Sequence, residues 1–402
     1  MKKAAPVPIV GLGCICALGN NLQDCMDSMY AGHRNFTYQP RMFSSQTCAY
    51  PVFEVHADFS VQSGCASHQI RTRHLVMAAV YEALSDAGLD AGFLGGKKVG
   101  VCIGTNVNGS LSDQEILGTR DGQNPGSFVS PEHRFALTDP SLAIGKQFSL
   151  SGPLQTVVTA CSAGSDALGL AGLWIQLDIC DIVISGGVDE LYRTTYDGFA
   201  SLMNSDKELC RPFDANRNGL NLGEGAGIVI LESERSLTGR GKKPRAFIWG
   251  YGSASDAYHL TSPSPDGQGL SRAIQEALDV SGLPARDIGF VNAHGTGTVD
   301  NDRIEASVLH DFFPQAPFFS TKGYTGHTLG AAGAVEAAFT VACLENKKLP
   351  ASAGFTKPDP DLAATPVFRP LEHSARFALS ETLAFGGINS VLVVGKADVS
   401  GN

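Results

Sequence analysis

The sequence predicts an α/β protein made of two similar halves. Along its 402 residues, buried strands alternate with helices, a pattern typical of parallel or mixed sheets covered by helices. Once in each half a strand runs into a helix of small residues, at 163–173 and at 331–342, which indicates an internal duplication with close packing of these two helices. The polar segment 233–244, with Gly239 and Gly241, is the predicted divide, so we expect one unit at 1–240 and another at 241–402.

Apolar β-branched runs and amphipathic segments place the individual elements. In the first half we expect strands at 8–16, 97–105, 154–158, 179–188 and 228–232, and helices at 21–32, 69–87, 141–148 and 163–173. In the second half we expect strands at 246–253, 288–293, 318–320, 374–384 and 390–395, and helices at 270–281, 302–313 and 330–346. Glycine and proline mark the boundaries of several of these helices and strands, as at Gly88 after a helix and Gly152-Pro153 before a strand.

Composition excludes several classes of protein. No apolar run reaches the roughly 18 residues of a membrane span, and the basic start Met1-Lys2-Lys3 leads into a strand and does not resemble a signal peptide. A formal net charge of −10 argues against a nucleic-acid partner. The ten cysteines are scattered without a C-x-x-C pair, which predicts free thiols in a reducing cytoplasm. Cys14 and Cys16 alternate within an apolar strand, so we expect no metal site there.

Cys161 lies where a predicted strand gives way to a predicted helix. The first turn of a helix exposes unpaired backbone N–H groups and the positive end of the helix dipole, both of which stabilise a thiolate. The pKa of a cysteine in such a place can fall from about 8.5 to roughly 3.5–7.5. The alternative is an inert cysteine in an apolar core, which is the commoner fate of a free cysteine.

Three later loops follow buried strands and are rich in glycine. The first contains His294 within A-H-G-T-G-T, the second contains His327 within G-H-T-L-G-A-A-G, and the third is the segment A-F-G-G-I-N at 384–389. Ligands gather at strand ends in α/β proteins, and glycine lets backbone N–H groups approach a substrate carbonyl. Together with a cysteine at a helix start, these loops predict a catalytic site.

These motifs resemble the β-ketoacyl-acyl-carrier-protein synthases, and most closely the elongating synthases with a Cys-His-His set. The resemblance covers nearly the whole chain and rests on T-A-C-S-A-G at 159–164, A-H-G-T-G-T at 293–298, K-G-Y-T-G-H-T-L-G-A-A-G at 322–333, A-F-G-G-I-N, and R-P-F-D-A-N-R-N-G-L-N-L-G-E-G at 211–225. It implies a thiolase-like fold of two duplicated α/β halves in five layers, αβαβα, in a homodimer or a heterodimer with a related chain.

The resemblance also implies a reaction and a set of roles. Cys161 takes an acyl group from acyl carrier protein, malonyl-carrier protein loses carbon dioxide, and its enolate attacks the acyl group, which lengthens the chain by two carbons in fatty acid or polyketide/polyene biosynthesis. No bound cofactor is implied, because phosphopantetheine arrives on the carrier protein. The implied site comprises the catalytic Cys161, His294, His327 and Lys322, the oxyanion and gating residues Phe385 and Gly386, the supporting carboxylates Glu336 and Asp302, and the pantetheine-binding Thr296 and Thr298.

Departures from the family pattern leave the substrate open. Ser165-Asp166-Ala167 after the cysteine resembles aromatic-polyketide ketosynthases, and Ile388 replaces a common threonine. Because the carrier protein is acidic in this family, basic residues should surround the site entrance; the candidates are Arg71, Arg73, Arg134, Lys207 and Arg211. The alternative functions are a non-catalytic or weakly catalytic, chain-length-factor-like partner of another ketosynthase, and a cysteine hydrolase.

Overall fold

The computed structural model describes residues 5–41, 49–57, 71–106 and 138–399, and strands and helices alternate through these ranges. Fourteen strands are described: β1 (Val7–Cys16), β2 (Val52–Phe53), β3 (Val99–Gly104), β4 (Leu154–Val157), β5 (Ile182–Asp189), β6 (Leu222–Gly223), β7 (Gly225–Glu232), β8 (Ala246–Ser255), β9 (Ile288–Asn292), β10 (Phe318–Phe319), β11 (Lys348–Leu349), β12 (Leu371–Glu372), β13 (Phe377–Ala384) and β14 (Ile388–Lys396).

Eleven helices are described in the same ranges: α1 (Leu22–Tyr30), α2 (Arg71–Ala87), α3 (Ala91–Gly95), α4 (Pro140–Gln147), α5 (Ala163–Gln176), α6 (Arg193–Ser201), α7 (Glu234–Gly239), α8 (Gln268–Ser281), α9 (Val299–Phe312), α10 (Lys322–Thr325) and α11 (Ala332–Asn346). None of these helices has the length and apolar character needed to cross a membrane. Side-chain hydrogen bonds cap the N-termini of several helices. The Asp139 carboxylate, for example, accepts the Leu142 N–H at the start of α4.

Ten of the strands form one mixed sheet in the order β10-β9-β13-β14-β8-β1-β7-β5-β3-β4. Each half contributes five strands to this sheet, and the two sets lie in the same order when counted outward from the central strands β1 and β8. Numbered along the chain within its half, that order is first, fifth, fourth, second and third. The pairings also repeat: two antiparallel and then two parallel in each direction. A short antiparallel contact between Val7–Ile9 and Ala246–Ile248 joins the halves. The predicted duplication is therefore present.

Helices cover both faces of each half-sheet and give the five layers of the thiolase-like fold. Helices α2 and α4 pack outside the first half, α8 and α9 outside the second, and α5 and α11 lie between the two half-sheets. Helices α5 and α11 pack closely against each other, since a Cβ added to Gly164 would lie 2.9 Å from the Ala334 nitrogen. The small residues in these helices permit this contact, as predicted. The halves connect through α7, and a boundary after residue 240 stays a prediction.

Candidate active site

The turn that carries Cys161 is short and tightly held. It begins after β4, forms one 3-10 turn over Ala160–Ser162, and continues directly into α5. Ala160 has a φ of 53°, in the left-handed region, so the backbone turns sharply just before the cysteine. A Cβ on Gly104, at the end of β3, would lie 2.2 Å from the Ala163 carbonyl carbon. The cysteine therefore lies at a helix start, as predicted, with a side chain only 4% exposed.

The structure brings both predicted histidines to this cysteine. His327 Nε2 lies 3.1 Å from Cys161 Sγ. The Leu329 backbone N–H donates to His327 Nδ1 at 3.2 Å, so Nδ1 is the acceptor and the proton of the neutral ring resides on Nε2. The His294 ring stands almost perpendicular to that of His327, with their centroids 5.2 Å apart. Two imidazoles and a thiol thus line one cavity.

Burial sets the protonation states of these groups. It lowers the pKa of His294 and of His327 well below the usual value, and the Lys322 ammonium lowers both further. The histidines are therefore neutral. Burial raises the pKa of the Cys161 thiol to about 11, against the opposing effects of Lys322 and the Phe385 backbone N–H. The prediction of a lowered cysteine pKa from its helix position is wrong in direction, because desolvation outweighs the neighbouring positive charge and N–H group.

Lys322 lies behind the histidines and binds the loop that carries one of them. Its Nζ donates to the His294 carbonyl oxygen at 2.6 Å and to Glu336 Oε1 at 2.5 Å, and both side chains are buried. Burial raises the pKa of Glu336 to about 7 although Lys322 lowers it. Lys322 and Glu336 thus form a buried ion pair, and their predicted roles in the reaction stay predictions.

A second carboxylate fixes the backbone beyond His294. Asp302, at 0% exposure, accepts the N–H groups of Phe213, Thr296 and Gly297 at 2.6, 3.1 and 3.2 Å. Burial raises the pKa of Asp302 to about 7. Asp302 therefore shapes the loop through its main chain and does not itself line the cavity.

The remaining predicted residues line the cavity or lie next to a residue that does. Thr296 and Thr298 line it, and their hydroxyl oxygens lie 2.8 Å apart. Phe385 also lines it, stacked on Phe199 of α6 with ring centroids 5.3 Å apart and planes 17° apart. Gly386 has a φ of 86° and its N–H donates to the Leu260 carbonyl at 2.8 Å, which turns the chain sharply beside the phenylalanine.

Both halves of the chain match domains of one known protein family. The β-ketoacyl synthase N-terminal domain matches residues 4–236, and the β-ketoacyl synthase C-terminal domain matches residues 245–356. The chain belongs to the β-ketoacyl synthase family.

Individual relatives match over their full length. The 3-oxoacyl-[acyl-carrier-protein] synthase 2 of Staphylococcus aureus (strain COL) is 32% identical, with 98% of this synthase and 99% of that protein covered. A chain of the ishigamide ketosynthase/chain length factor structure has a TM-score of 0.89 at 30% identity, with 98% and 99% covered. A chain of the ketosynthase (ApeO) complex with its chain length factor (ApeC) from Xenorhabdus doucetiae has a TM-score of 0.87 at 30% identity, with 98% of each covered.

Two polar residues of this synthase's site were missed in the sequence. The Glu305 carboxylate accepts the N–H groups of His294 and Gly295 at 2.5 and 2.8 Å, and the Asn301 side-chain amide at 2.9 Å. Asn301 also donates to Asp302 at 3.1 Å. The signal available was spacing, because residues 301 and 305 lie four apart on the helix that follows the histidine loop and so share one face.

Asp166 is one of the departures from the family pattern, and in this synthase its carboxylate makes structural hydrogen bonds. Its carboxylate accepts hydroxyl hydrogen bonds from Thr159 at 2.5 Å, Ser162 at 2.9 Å and Tyr251 at 2.7 Å, and another from Ser390. It does not line the cavity around Cys161. These bonds tie the turn that carries the cysteine to β8 and β14.

The predicted basic residues divide into two kinds. Arg71, a predicted contact for the carrier protein, binds the fully buried Glu224 at 2.5 Å and the Val55 carbonyl through its guanidinium. Arg73 and Lys207 are exposed, and Arg211 is half-buried. Arg134 lies outside the described residues.

One trio of thiols within the described ranges is close enough to share a metal ion. Cys14, Cys16 and Cys25 have their sulfur atoms within 4.8 Å of one another, and Cys16 Sγ lies 3.5 Å from Cys25 Sγ. Cys14 and Cys16 lie in β1, as predicted, and all three are buried in an apolar core cluster. None of them lines the cavity of the synthase site.

Proposed function

We propose that this synthase joins an acyl group held on Cys161 to a malonyl unit from acyl carrier protein, with loss of carbon dioxide, to form a β-ketoacyl thioester. The observation that carries this proposal is the placement of a buried thiol and two neutral histidines in one cavity, with His327 Nε2 3.1 Å from the sulfur. One histidine would suffice for a hydrolase. Two neutral N–H donors fit a second substrate on which negative charge develops.

In the first step the Cys161 sulfur attacks the thioester carbonyl of the acyl-carrier protein. A C–S bond forms to the cysteine, the C–S bond to pantetheine breaks, and the cysteine proton leaves with the pantetheine thiol. The backbone N–H groups of Cys161 and Phe385 would bind the carbonyl oxygen as it becomes negative. The N–H of Phe385 already lowers the pKa of this thiol.

In the second step the histidines act on malonyl-carrier protein. Their Nε2–H groups would donate to the malonyl thioester oxygen, where charge develops as the bond to the departing carboxylate breaks. The resulting enolate carbon forms a C–C bond to the acyl carbonyl on Cys161, and the C–S bond to the cysteine breaks. The sulfur leaves as a thiolate, which takes a proton from the solvent to restore the free thiol. Loss of one donor of this kind costs about 10²–10³ in rate. Lys322, Glu336 and Asp302 would hold the loops that position these donors.

The carrier protein delivers both substrates on its phosphopantetheine arm. Thr296 and Thr298, which line the cavity, would bind the amides of that arm, and Phe385 with Gly386 would gate the entrance. Exposed Arg73 and Lys207 and half-buried Arg211 are the described basic residues that would contact an acidic carrier protein. The eight described cysteines are free and buried, which fits a reducing cytoplasm.

A second chain of the same fold would associate with this chain along β4. This strand ends the ten-stranded sheet, and apolar side chains that the structure leaves exposed follow it: Val158, Leu173, Leu177 and Ile179. An exposed strand edge beside apolar surface favours pairing with another chain. We propose a dimer here, either with a second copy or with a related synthase-fold chain.

Intact-mass measurement tests the reaction directly. The wild-type protein incubated with acyl-carrier protein should gain one acyl group, and the Cys161→Ala variant should gain none. Added malonyl-carrier protein should then yield a product two carbons longer. An adduct that survives in the Cys161→Ala variant, or release of free acid alone, would contradict the proposal. A chain-length-factor-like partner would form no adduct with any member of a saturated, unsaturated and aryl-primed panel.

A further inference from the structure

Three cysteine sulfurs meet between β1 and α1, outside the cavity that contains Cys161. Cys14 and Cys16 lie two residues apart in β1, so their side chains project from the same face of the strand. Cys25 is among the residues that α1 buries. The three sulfur atoms lie within 4.8 Å of one another, and Cys16 Sγ lies 3.5 Å from Cys25 Sγ. The strand and the helix therefore bring three sulfur ligand atoms to one place.

The backbone around the three sulfurs is closely packed. Cys16 and Gly19 exchange two backbone hydrogen bonds of 3.1 Å, which close the turn between β1 and α1. A Cβ added to Gly19 would lie 2.9 Å from the Cys25 nitrogen, so the helix packs directly on this turn. On the neighbouring strand β7, Gly225 pairs with Cys16, and a Cβ there would lie 3.1 Å from the Cys16 Cβ. The positions of the sulfurs are therefore fixed by the fold, and a ligand that fits them binds at a low cost in ordering.

The ligand atoms and their surroundings favour a soft metal ion. In the described part of the chain the group of ligand atoms consists of these three sulfurs, and the apolar core cluster around them includes Met26 and Met29 of α1. Thiolates select Cu(I) and zinc over the hard ions magnesium and calcium. A structural zinc site takes four ligands, whereas Cu(I) is content with three sulfurs. Three sulfurs about 2.3 Å from a central ion lie about 4 Å from one another, close to the observed spacing.

We propose that Cys14, Cys16 and Cys25 form a binding site for one Cu(I) ion, coordinated by sulfur alone. From the strand alone we expect no metal site at Cys14 and Cys16, and it is the fold that adds the third sulfur, from Cys25 in α1. The thiols that coordinate the ion lose their protons to the solvent, because the thiolate is the metal ligand. The bound ion links β1 to α1 and stabilises the folded chain. The site is separate from Cys161 and does not depend on the proposed function.

Anaerobic competition with bathocuproine disulfonate, a coloured Cu(I) chelator, measures the affinity of this site. Every protein tested carries Cys161→Ala, because the thiol beside His327 is an alternative soft ligand. This protein should hold one Cu(I) ion per chain, and the further change Cys16→Ser should weaken binding about 100-fold or more. Cys102→Ala removes another buried thiol, from β3, and as the matched control should leave the affinity within about threefold. Cu(I) should raise the midpoint of thermal unfolding except in the protein with Cys16→Ser.

X-ray absorption at the copper edge identifies the ligands of the bound ion. Sulfur neighbours alone, at about 2.3 Å, are expected, whereas nitrogen or oxygen neighbours would overturn the proposal. Equal affinity with and without the Cys16 thiol, or an equal loss in Cys102→Ala, would overturn it as well. A site that prefers zinc to Cu(I) in direct competition would show that the ion is wrong. If Cys16→Ser fails to fold, Cys25→Ala in α1 removes a different sulfur and gives the same comparison.

Discussion

Substitution of Lys322 by Met removes the cation from the buried centre of the site. The change leaves Glu336 without its ion-pair partner at 2.5 Å and the His294 carbonyl without its donor at 2.6 Å. Removal of one member of a buried ion pair costs about 3–5 kcal/mol, because the other charge stays buried and uncompensated. The pKa of Glu336 is already about 7 with Lys322 present. Without the ammonium group it protonates, so we expect a loss near the lower limit, about 3 kcal/mol.

The double variant Lys322→Met/Glu336→Gln isolates the pair. With no charge left behind, it should recover most of this loss and keep a deficit of about 1 kcal/mol for the unpaired His294 carbonyl. The free energy of unfolding is measured from urea titrations followed by tryptophan fluorescence, at one fixed protein concentration because subunit association shifts apparent stability. Lys243→Met, at an exposed lysine, is the matched control and should change stability by less than about 0.5 kcal/mol.

Reactivity of the cysteine gives a second readout of the same substitution. Lys322 lowers the pKa of the Cys161 thiol, so its removal should raise that pKa further and slow alkylation by iodoacetamide at pH 7.5. Equal losses of stability in the single and the double variant would refute the ion-pair argument. An unchanged alkylation rate in Lys322→Met would refute the electrostatic effect on the thiol.

Further substitutions test the entrance, the surface charges and the pH dependence. Phe199→Ala removes the ring stacked on Phe385 at 5.3 Å and should speed alkylation by a bulky maleimide about two- to tenfold more than alkylation by iodoacetamide; equal acceleration would argue against a gate. Arg71→Ala should cost about 1.5–3 kcal/mol of unfolding free energy, the range for hydrogen bonds to charged groups, because Arg41 still pairs with the fully buried Glu224 at 2.9 Å. Arg73→Ala should leave stability unchanged and raise the KM for acyl-carrier protein, and the reverse pattern would contradict both assignments. Burial raises the pKa of Glu190 to about 7, so the folded chain holds a proton that the unfolded chain releases, and stability falls as pH rises from about 4.5 to about 7. Thermal denaturation of Glu190→Gln should lack this part of the pH dependence, worth at most about 3 kcal/mol, and an unchanged slope would contradict the assignment.

The fold could be predicted from the sequence because most strands of the ten-stranded sheet are apolar and buried on both faces. The predicted strand at 246–253 corresponds to β8, and the predicted helix at 163–173 corresponds to α5. Helix α6 was missed, since its sequence R-T-T-Y-D-G-F-A-S contains threonine, aspartate and glycine, which favour helix weakly. That helix supplies Phe199, so one residue of the cavity lining was also missed.

The candidate site was predicted only where its residues lie in distinctive sequence motifs. Cys161, His294 and His327 lie in motifs whose residue types are unusual enough to stand out, and the structure brings all three together. Glu305 did not stand out, because a glutamate in a helix is ordinary in sequence. Its role depends on complete burial and on which N–H groups reach its carboxylate, and both are properties of the folded chain.

The pKa of Cys161 shows why position along a helix is not sufficient to predict reactivity. A helix start favours the thiolate, but complete burial reverses the balance, and the thiol pKa is about 11. The same burial keeps both histidines neutral, and a neutral imidazole suits this reaction better than a charged one. A charged imidazolium would hold the malonyl carboxylate and oppose loss of carbon dioxide, whereas a neutral Nε2–H stabilises the oxygen that becomes negative. Lys322 acts in the useful direction on all three groups, since one buried positive charge lowers the pKa of the thiol and of each histidine. It thereby brings the sulfur nearer to thiolate while it keeps the imidazoles uncharged.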